Sequence, residues 1–300
     1  MRSWLLANSR RLPLDRPRLV AILNVTPDSF HDGGRFASTE TALAAAALAV
    51  EEGAAMLDIG GESTRPGADR VNPAEQIRRV VPLVLAIRAQ PGALGRTPIS
   101  VDTTLADVAR SALDAGADAV NDVSAGTEDP ELLDVVAASG AGVILMHRLR
   151  PPGDDAYSDR YESPPIDGDV VSVVLRMFQD RALPAAREAG IADDRIVIDP
   201  GLGFGKTVPQ NLELIRRTPE LIGAFGLPVL SALSRKSFVG RVGLARDSDP
   251  AERLPATLAL SLEHRRAGAG LFRVHDVAAH AQAFAASAAL SPPAATRSPV

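Results

Sequence analysis

The residues able to do chemistry in this sequence recur at one kind of place. Short apolar runs end in Asn24, Asp58, Asp102, Asn121, His147 and Asp199, then in the turn Ser234-Arg235-Lys236, and last in Arg273 and His275. Asp102, Asn121, Asp199 and Lys236 form a set of two carboxylates, an amide and an amine. Two carboxylates can accept hydrogen bonds from an N–C–N edge such as that of a 2-aminopyrimidinone. The amide and the ammonium can serve its carbonyl and ring nitrogens. Arg65, Arg273 and His275 suit phosphate oxygens, and Asn24 can offer an oxygen to Mg2+. Together these residues describe a site for a heterocycle that carries a diphosphate. Any one strand-end Asp or Asn could equally cap the following helix. Capping alone explains the whole series poorly.

Positioning such a series on one rim needs a repeated element. EEGAAMLDIGG, DAGADAVNDVS, ASGAGVILMH, EAGIADDRIVIDPG and RAGAGLFRVHD share one plan: a helical end, a Gly, a short apolar run, a polar stop. Gly suits the left-handed helix C-cap, and a short, partly β-branched run suits a strand buried on both faces. Strands are expected near 19–24, 55–59, 98–102, 118–121, 142–147, 195–199, 228–232 and 270–274. Helices are expected between them. Ile77, Val80, Val81, Val84 and Leu85 recur at helical spacing, and Asp129-Pro130 and Asp249-Pro250 read as helix starts. Eight such units predict a (β/α)8 barrel, with an open doubly wound sheet as the alternative. The long connections 60–72, 148–166 and 232–250 then fall on the catalytic face. Residues 1–17 read as an N-terminal extension, 18–290 as the barrel and 291–300 as a loose Pro/Ser/Ala-rich tail.

Composition removes other chemistries. The chain has 300 residues, a net charge of -5 and no cysteine. Disulfides, thiolate nucleophiles and Cys-based zinc sites are thereby excluded. No run of like charge stands out, which argues against nucleic acid as a partner. The apolar patch Trp4–Ala7 is shorter than a secretory leader requires, and the Ala-rich segment 42–50 is too short for a membrane span. The expectation is a cytoplasmic protein without membrane partners. GLGFGKT fails as a phosphate loop because Pro200 stands where the first Gly is needed, and Lys206 breaks the dinucleotide pattern. There is no HExxH, and His264 and His280 are expected on helix surfaces.

NVTPDSFHDGG (24–34), DIGGESTRPG (58–67), SVDT (100–103), NDVSAG (121–126), DPGLGFGKT (199–207), SRKSFVG (234–240) and RVHDV (273–277) resemble the signature blocks of dihydropteroate synthases. The resemblance runs from about 19 to 288. It implies condensation of a dihydropterin-methyl diphosphate with p-aminobenzoate on a pterin-binding barrel. Asp102, Asn121, Asp199, Lys236 and Met146 would then hold the pterin, and Asn24 would bind Mg2+ with the diphosphate. Thr64, Arg65, Pro66, Phe204 and Ser237 would shape the p-aminobenzoate site. Arg273 and His275 would grip the leaving group, with Arg65 beside them. Asp28 and Asp32, on a mobile loop 26–34, would lie near the reacting carbon, and a second mobile loop would span 63–67. A homodimer is implied as well. Two departures stand out: RLRPPGDDAYSDRY follows Met146-His147, and Ala125 sits within NDVSAG. The readings weighed against this one are a pterin-dependent methyltransferase barrel and a non-catalytic pterin-binding paralogue. The first has no use for RVH or STRPG. The second would be expected to have lost Arg65, the DPGxGFGK block or the SRKS turn.

Overall fold

The computed structural model describes residues 3–25 and 35–290, with only the backbone described for 35–38. Two short antiparallel strands come first, β1 (Ser3–Leu5) and β2 (Arg11–Pro13). Eight parallel strands follow: β3 (Arg18–Asn24), β4 (Met56–Gly60), β5 (Ile99–Asp102), β6 (Ala119–Asp122), β7 (Gly142–Met146), β8 (Ile196–Asp199), β9 (Leu230–Ser231) and β10 (Leu271–Val274). They pair in the order β8-β7-β6-β5-β4-β3-β10-β9, and a parallel bridge from Ile198 to Val229 joins the two ends into a ring. Around the ring lie α1 (Arg35–Glu51), α2 (Pro73–Arg88), α3 (Gly92–Arg96), α4 (Ala106–Asp114), α5 (Leu132–Ser139) and α6 (Val170–Met177). The remaining helices are α7 (Leu183–Glu188), α8 (Val208–Arg216), α9 (Thr218–Phe225), α10 (Ser237–Leu244), α11 (Leu254–Arg266) and α12 (Val277–Ala289). This is a single (β/α)8 barrel.

The strands form where expected because β4, β5, β7 and β8 are buried on both faces and so read as short, mostly apolar runs, broken within β4 by Asp58 and within β5 by Ser100. Between strands and helices lies the larger core, built from residues such as Ile59, Val101, Leu145, Ile198 and Phe272. Helix starts follow local chemistry. Asn72 accepts from the Glu75 amide at 2.9 Å, and Asp249 forms a capping box with Glu252. At the end of α5, Gly140 takes a left-handed φ of 62°.

Two local expectations are corrected. Asp129-Pro130 does not itself open a helix: α5 begins at Leu132. Asp129 accepts from the Glu131 amide at 3.1 Å, in the turn that leads into α5, and with its other oxygen from the Ala106 amide at 2.8 Å, capping the start of α4 across the sequence. His264 and His280 are fully buried, not on the surface. Their helix faces pack inward, and both rings are satisfied. His264 lies 2.9 Å from both Thr218 Oγ1 and Ser231 Oγ, and His280 bonds the Asp276 carbonyl and Ser261 Oγ. A hydrogen-bonded neutral imidazole tolerates burial that a charged one does not. His147, just past the end of β7, is buried like Asp102, Asn121 and Asp199 at the same end of the strands.

The hairpin β1–β2 covers the end of the barrel opposite the strand-end polar residues. Trp4 and Leu6 are fully buried, and they pack with Val20, Met56, Ile144, Val197 and Leu271 inside the ring. The Trp4 indole N–H donates to the Arg195 carbonyl at 2.8 Å. The apolar patch near the start of the chain is therefore barrel floor. Among the described residues, no helix is long and apolar enough to cross a membrane.

Candidate active site

The carboxyl ends of the strands bring Asp58, Asp102, Asn121, Asp199 and Arg273 to one place. Asp58 is fully buried and accepts three side-chain hydrogen bonds: from Ser100 Oγ at 2.6 Å, Asn121 Nδ2 at 3.1 Å and Arg273 Nε at 2.6 Å. It thereby fixes the direction of the Asn121 amide and of the Arg273 guanidinium. A second guanidinium nitrogen of Arg273 donates to Asp102 Oδ2 at 2.7 Å. The other oxygen, Asp102 Oδ1, is buried and has no hydrogen-bond partner. Burial pushes the Asp102 carboxyl up to about 7, against the opposing pull of Arg273 and with further upward pressure from Asp58. Burial also raises the Asp199 carboxyl, while Lys236 opposes the rise. Asp199 is steadied by the Gly201 amide, which donates to Oδ1 at 2.7 Å. Buried carboxylates that keep an unsatisfied oxygen are costly unless a ligand satisfies them.

Lys236 stands at the start of α10 and reaches across to the turn after β8. Its ammonium donates to the Leu202 carbonyl and lies 4.3 Å from the centroid of the Phe204 ring. Desolvation lowers its pKa to about 8, with Asp199 pulling the other way. Phe204, Met146 and Val123 make a small apolar cluster separate from the main core. Such a cluster gives a flat ligand an apolar wall beside the polar groups.

Outward from this end lies a cavity of about 700 Å³. Asn24, Thr64, Arg65, Pro66, Phe204, Lys236, Ser237, Arg273 and His275 line it. His275 is held by Ser234 Oγ, 3.1 Å from Nδ1, and burial lowers its pKa to about 4, helped by Arg273. It is therefore neutral near pH 7 and can donate one N–H. A second cavity of about 460 Å³ shares Ser63 and Thr64 with the first and has Asp102 in its wall.

Of the expected residues, Asn24, Thr64, Arg65, Pro66, Phe204, Lys236, Ser237, Arg273 and His275 line the larger cavity and Asp102 the smaller, while Asn121, Met146 and Asp199 lie at the strand ends and line neither. Asp28 and Asp32 lie outside the described residues, as does the loop 26–34. Asp58 and Val123 were not singled out as site residues. Asp58 does end an apolar run, but burial and partners, which no local pattern shows, make it the organiser of the polar end.

The profile of the pterin binding enzyme family matches residues 20–275. The dihydropteroate synthase of Synechocystis is 43% identical over 267 residues, which is 89% of this chain and 88% of that one. The chain belongs to the dihydropteroate synthase family. The Xanthomonas albilineans dihydropteroate synthase solved with 4-aminobenzoic acid superposes with a TM-score of 0.82 at 42% identity, covering 96% of this chain and 99% of that one. The same organism's enzyme in complex with 7,8-dihydropteroate gives 0.79 at 38% identity, covering 96% and 100%.

Within the dihydropteroate synthase fold, both sequence departures have a structural setting. The segment 148–166 is the outer wall of the larger cavity, to which it contributes Tyr157, Asp159 and Arg160. It holds its neighbours through one backbone and one side-chain acceptor: Gly67 N donates to the Pro152 carbonyl, and Gly205 N to Asp155 Oδ2, both at 2.9 Å. Ala125 is buried at a left-handed φ of 51°, in a turn whose amides at Ser124 and Gly126 donate to Asp122.

Proposed function

We propose that this chain condenses (7,8-dihydropterin-6-yl)methyl diphosphate with 4-aminobenzoate, releasing diphosphate and 7,8-dihydropteroate. The observation that carries the reading is the buried, unpartnered Asp102 oxygen, with Asn121 beside it across the strand pair and with Asp199 and Lys236 in electrostatic reach. Acceptors there outnumber donors, which suits the N–H-rich edge of a reduced pterin, and Lys236 offers the matching donor. The 4-aminobenzoate and dihydropteroate bound by the Xanthomonas albilineans enzyme support the same substrate and product here.

In the transfer, the bond from the exocyclic methylene to the diphosphate oxygen breaks, and its electron pair leaves with diphosphate. The arylamine lone pair forms the new C–N bond, and the nitrogen then sheds a proton to water or to the leaving group. No strong base is required, since the amine is already nucleophilic and its proton becomes acidic once bonded. Positive charge on the methylene during departure is stabilised by Asp102 and Asp199. Arg65, His275 and the guanidinium N–H groups of Arg273 that are not committed to Asp58 or Asp102 receive the leaving diphosphate. Thr64, Pro66, Phe204, Ser237 and the stem of Lys236 shape the aminobenzoate pocket, and Asp28 and Asp32 are assigned beside the reacting carbon.

Among the described residues, no group of three or more His, Cys, Asp or Glu could hold a metal by itself. The donor set fits Mg2+ taken chiefly by diphosphate oxygens and water, with the Asn24 amide oxygen as the protein ligand. Bound there, the ion would neutralise charge on the leaving group. A homodimer acting in the cytoplasm completes the proposal. The test is diphosphate release from purified protein given both substrates and Mg2+. Release that needs both substrates supports the reading, and release with neither or only one sinks it.

A further inference from the structure

The chain contains only two lysines, Lys206 and Lys236, against thirty arginines. Both stand beside the same turn. Lys206 is fully buried and lines neither cavity. Its ammonium donates to the carbonyls of Gly201 and Phe204, each at 2.8 Å, and lies 3.0 Å from His147 Nδ1. The His147 carbonyl lies 3.4 Å away as well, so the amine is met by four acceptors, two within the 200–206 turn and two on His147 just past β7. The planar, longer guanidinium of arginine does not reproduce that convergence.

The turn so held is the seat of the other lysine. The Leu202 carbonyl accepts from Lys236, and the Phe204 ring faces its ammonium. Gly203 (φ +85°) lies against the Lys236 stem, where an added Cβ would come within 2.8 Å of Cδ. Asn211 braces the same turn, accepting from Gly203 N at 2.7 Å and donating to the Thr207 carbonyl at 2.8 Å. Beyond this turn, the charge of Lys206 is also felt directly by Asp199 and Lys236.

We infer that Lys206 is a positioning residue for the transfer reaction: its buried ammonium locks the 200–206 turn and so sets Lys236 and Phe204 against the two substrates. This rests on the reaction proposed above. The GFGK run that fails as a phosphate loop is thus an internal staple whose lysine points into the protein.

The test uses full-length protein labelled with 15N-lysine, in which only two side-chain ammonium signals can arise. Lys206→Met removes one signal. The staple requires that the surviving Lys236 signal move, and that KM for 4-aminobenzoate rise and kcat fall by about ten- to a hundredfold, the scale of a group displaced by about 1 Å. KM for the pterin diphosphate, still held by Asp102 and Asn121, should change less. Lys206→Arg should not rescue. His147→Leu, which deletes one acceptor and leaves the amine, should shift the Lys236 signal and KM in the same direction by a smaller factor. It decides the matter if Lys206→Met fails to fold. An unmoved Lys236 signal with unchanged kinetics, accompanied only by a lower Tm, would reduce Lys206 to a structural group and overturn the inference. Wild-type protein without turnover would overturn the proposed reaction, and the Lys236 signal would still decide the role of Lys206.

Discussion

Asp102→Asn isolates one oxygen atom. In the protein, Oδ2 accepts from Arg273 at 2.7 Å and Oδ1 is buried without a partner. An amide of the same shape must keep its oxygen toward Arg273, because two donors cannot meet. Its NH2 group then replaces the free oxygen, and a donor on the ligand meets a donor on the protein. Leaving such a buried donor unpaired costs about 1–3 kcal/mol, and opposing donors push toward the upper end. Pterin affinity should therefore fall about 100-fold, since each 1.4 kcal/mol is about tenfold. Calorimetry with the hydroxymethyl pterin measures this directly. The pH dependence supplies an independent check. Burial raises the wild-type carboxyl to about 7, so the accepting, ionised form is present above that pH and is lost below it. Affinity should weaken toward about tenfold per unit below pH 7, and the variant should lack that contribution. On the basic side, the Lys236 donor is present below its pKa of about 8 and is lost above it, giving a bell-shaped kcat/KM. Unchanged affinity in Asp102→Asn, with the wild-type slope retained, would refute the assignment of Oδ1 to the ligand.

Arg273→Ala should weaken the pterin diphosphate far more than the bare hydroxymethyl pterin, and equal losses would leave Arg273 only the counter-ion of Asp58 and Asp102. 4-Aminobenzoate should bind weakly to free protein and tightly once pterin, diphosphate and Mg2+ are present. Arg65→Ala should abolish that enhancement while sparing pterin binding, and sulfonamides should follow the same order; equal affinity under all conditions would mean a preformed pocket. His264, whose pKa burial lowers to about 3, takes up its proton in the unfolded chain at about 6.5. Its contribution to stability is complete above pH 6.5 and is lost as pH falls toward 3, about 2 kcal/mol by pH 5, so urea unfolding of His264→Gln should show a shallower pH slope than wild type. Ala125→Gly, which relieves a left-handed alanine at φ 51°, should raise stability by about 1 kcal/mol in the same assay, and a loss would show that the buried methyl matters more.

The sequence alone determined the barrel and most of its rim. Parallel strands buried on both faces must be mostly apolar runs, so Asn24, Asp102, Asn121, Asp199 and Arg273 announce themselves as the polar stops. The caps at Asn72 and Asp249 are equally local, since donor and acceptor lie within one turn. What depended on distant neighbours was not legible. Asp58 reads like any other strand-end acid, yet its partners are 42, 63 and 215 residues away. Asp129 looked like the cap of its own helix, and besides the Glu131 amide there it serves a helix start 23 residues earlier. His264 and His280 looked exposed, because which face of a helix packs inward is set by the barrel it covers. Lys206 looked like a broken phosphate loop. Only the folded chain brings Gly201, Phe204 and His147 around its amine, because burial and the convergence of these acceptors are properties of the packed turn and of no residue within it.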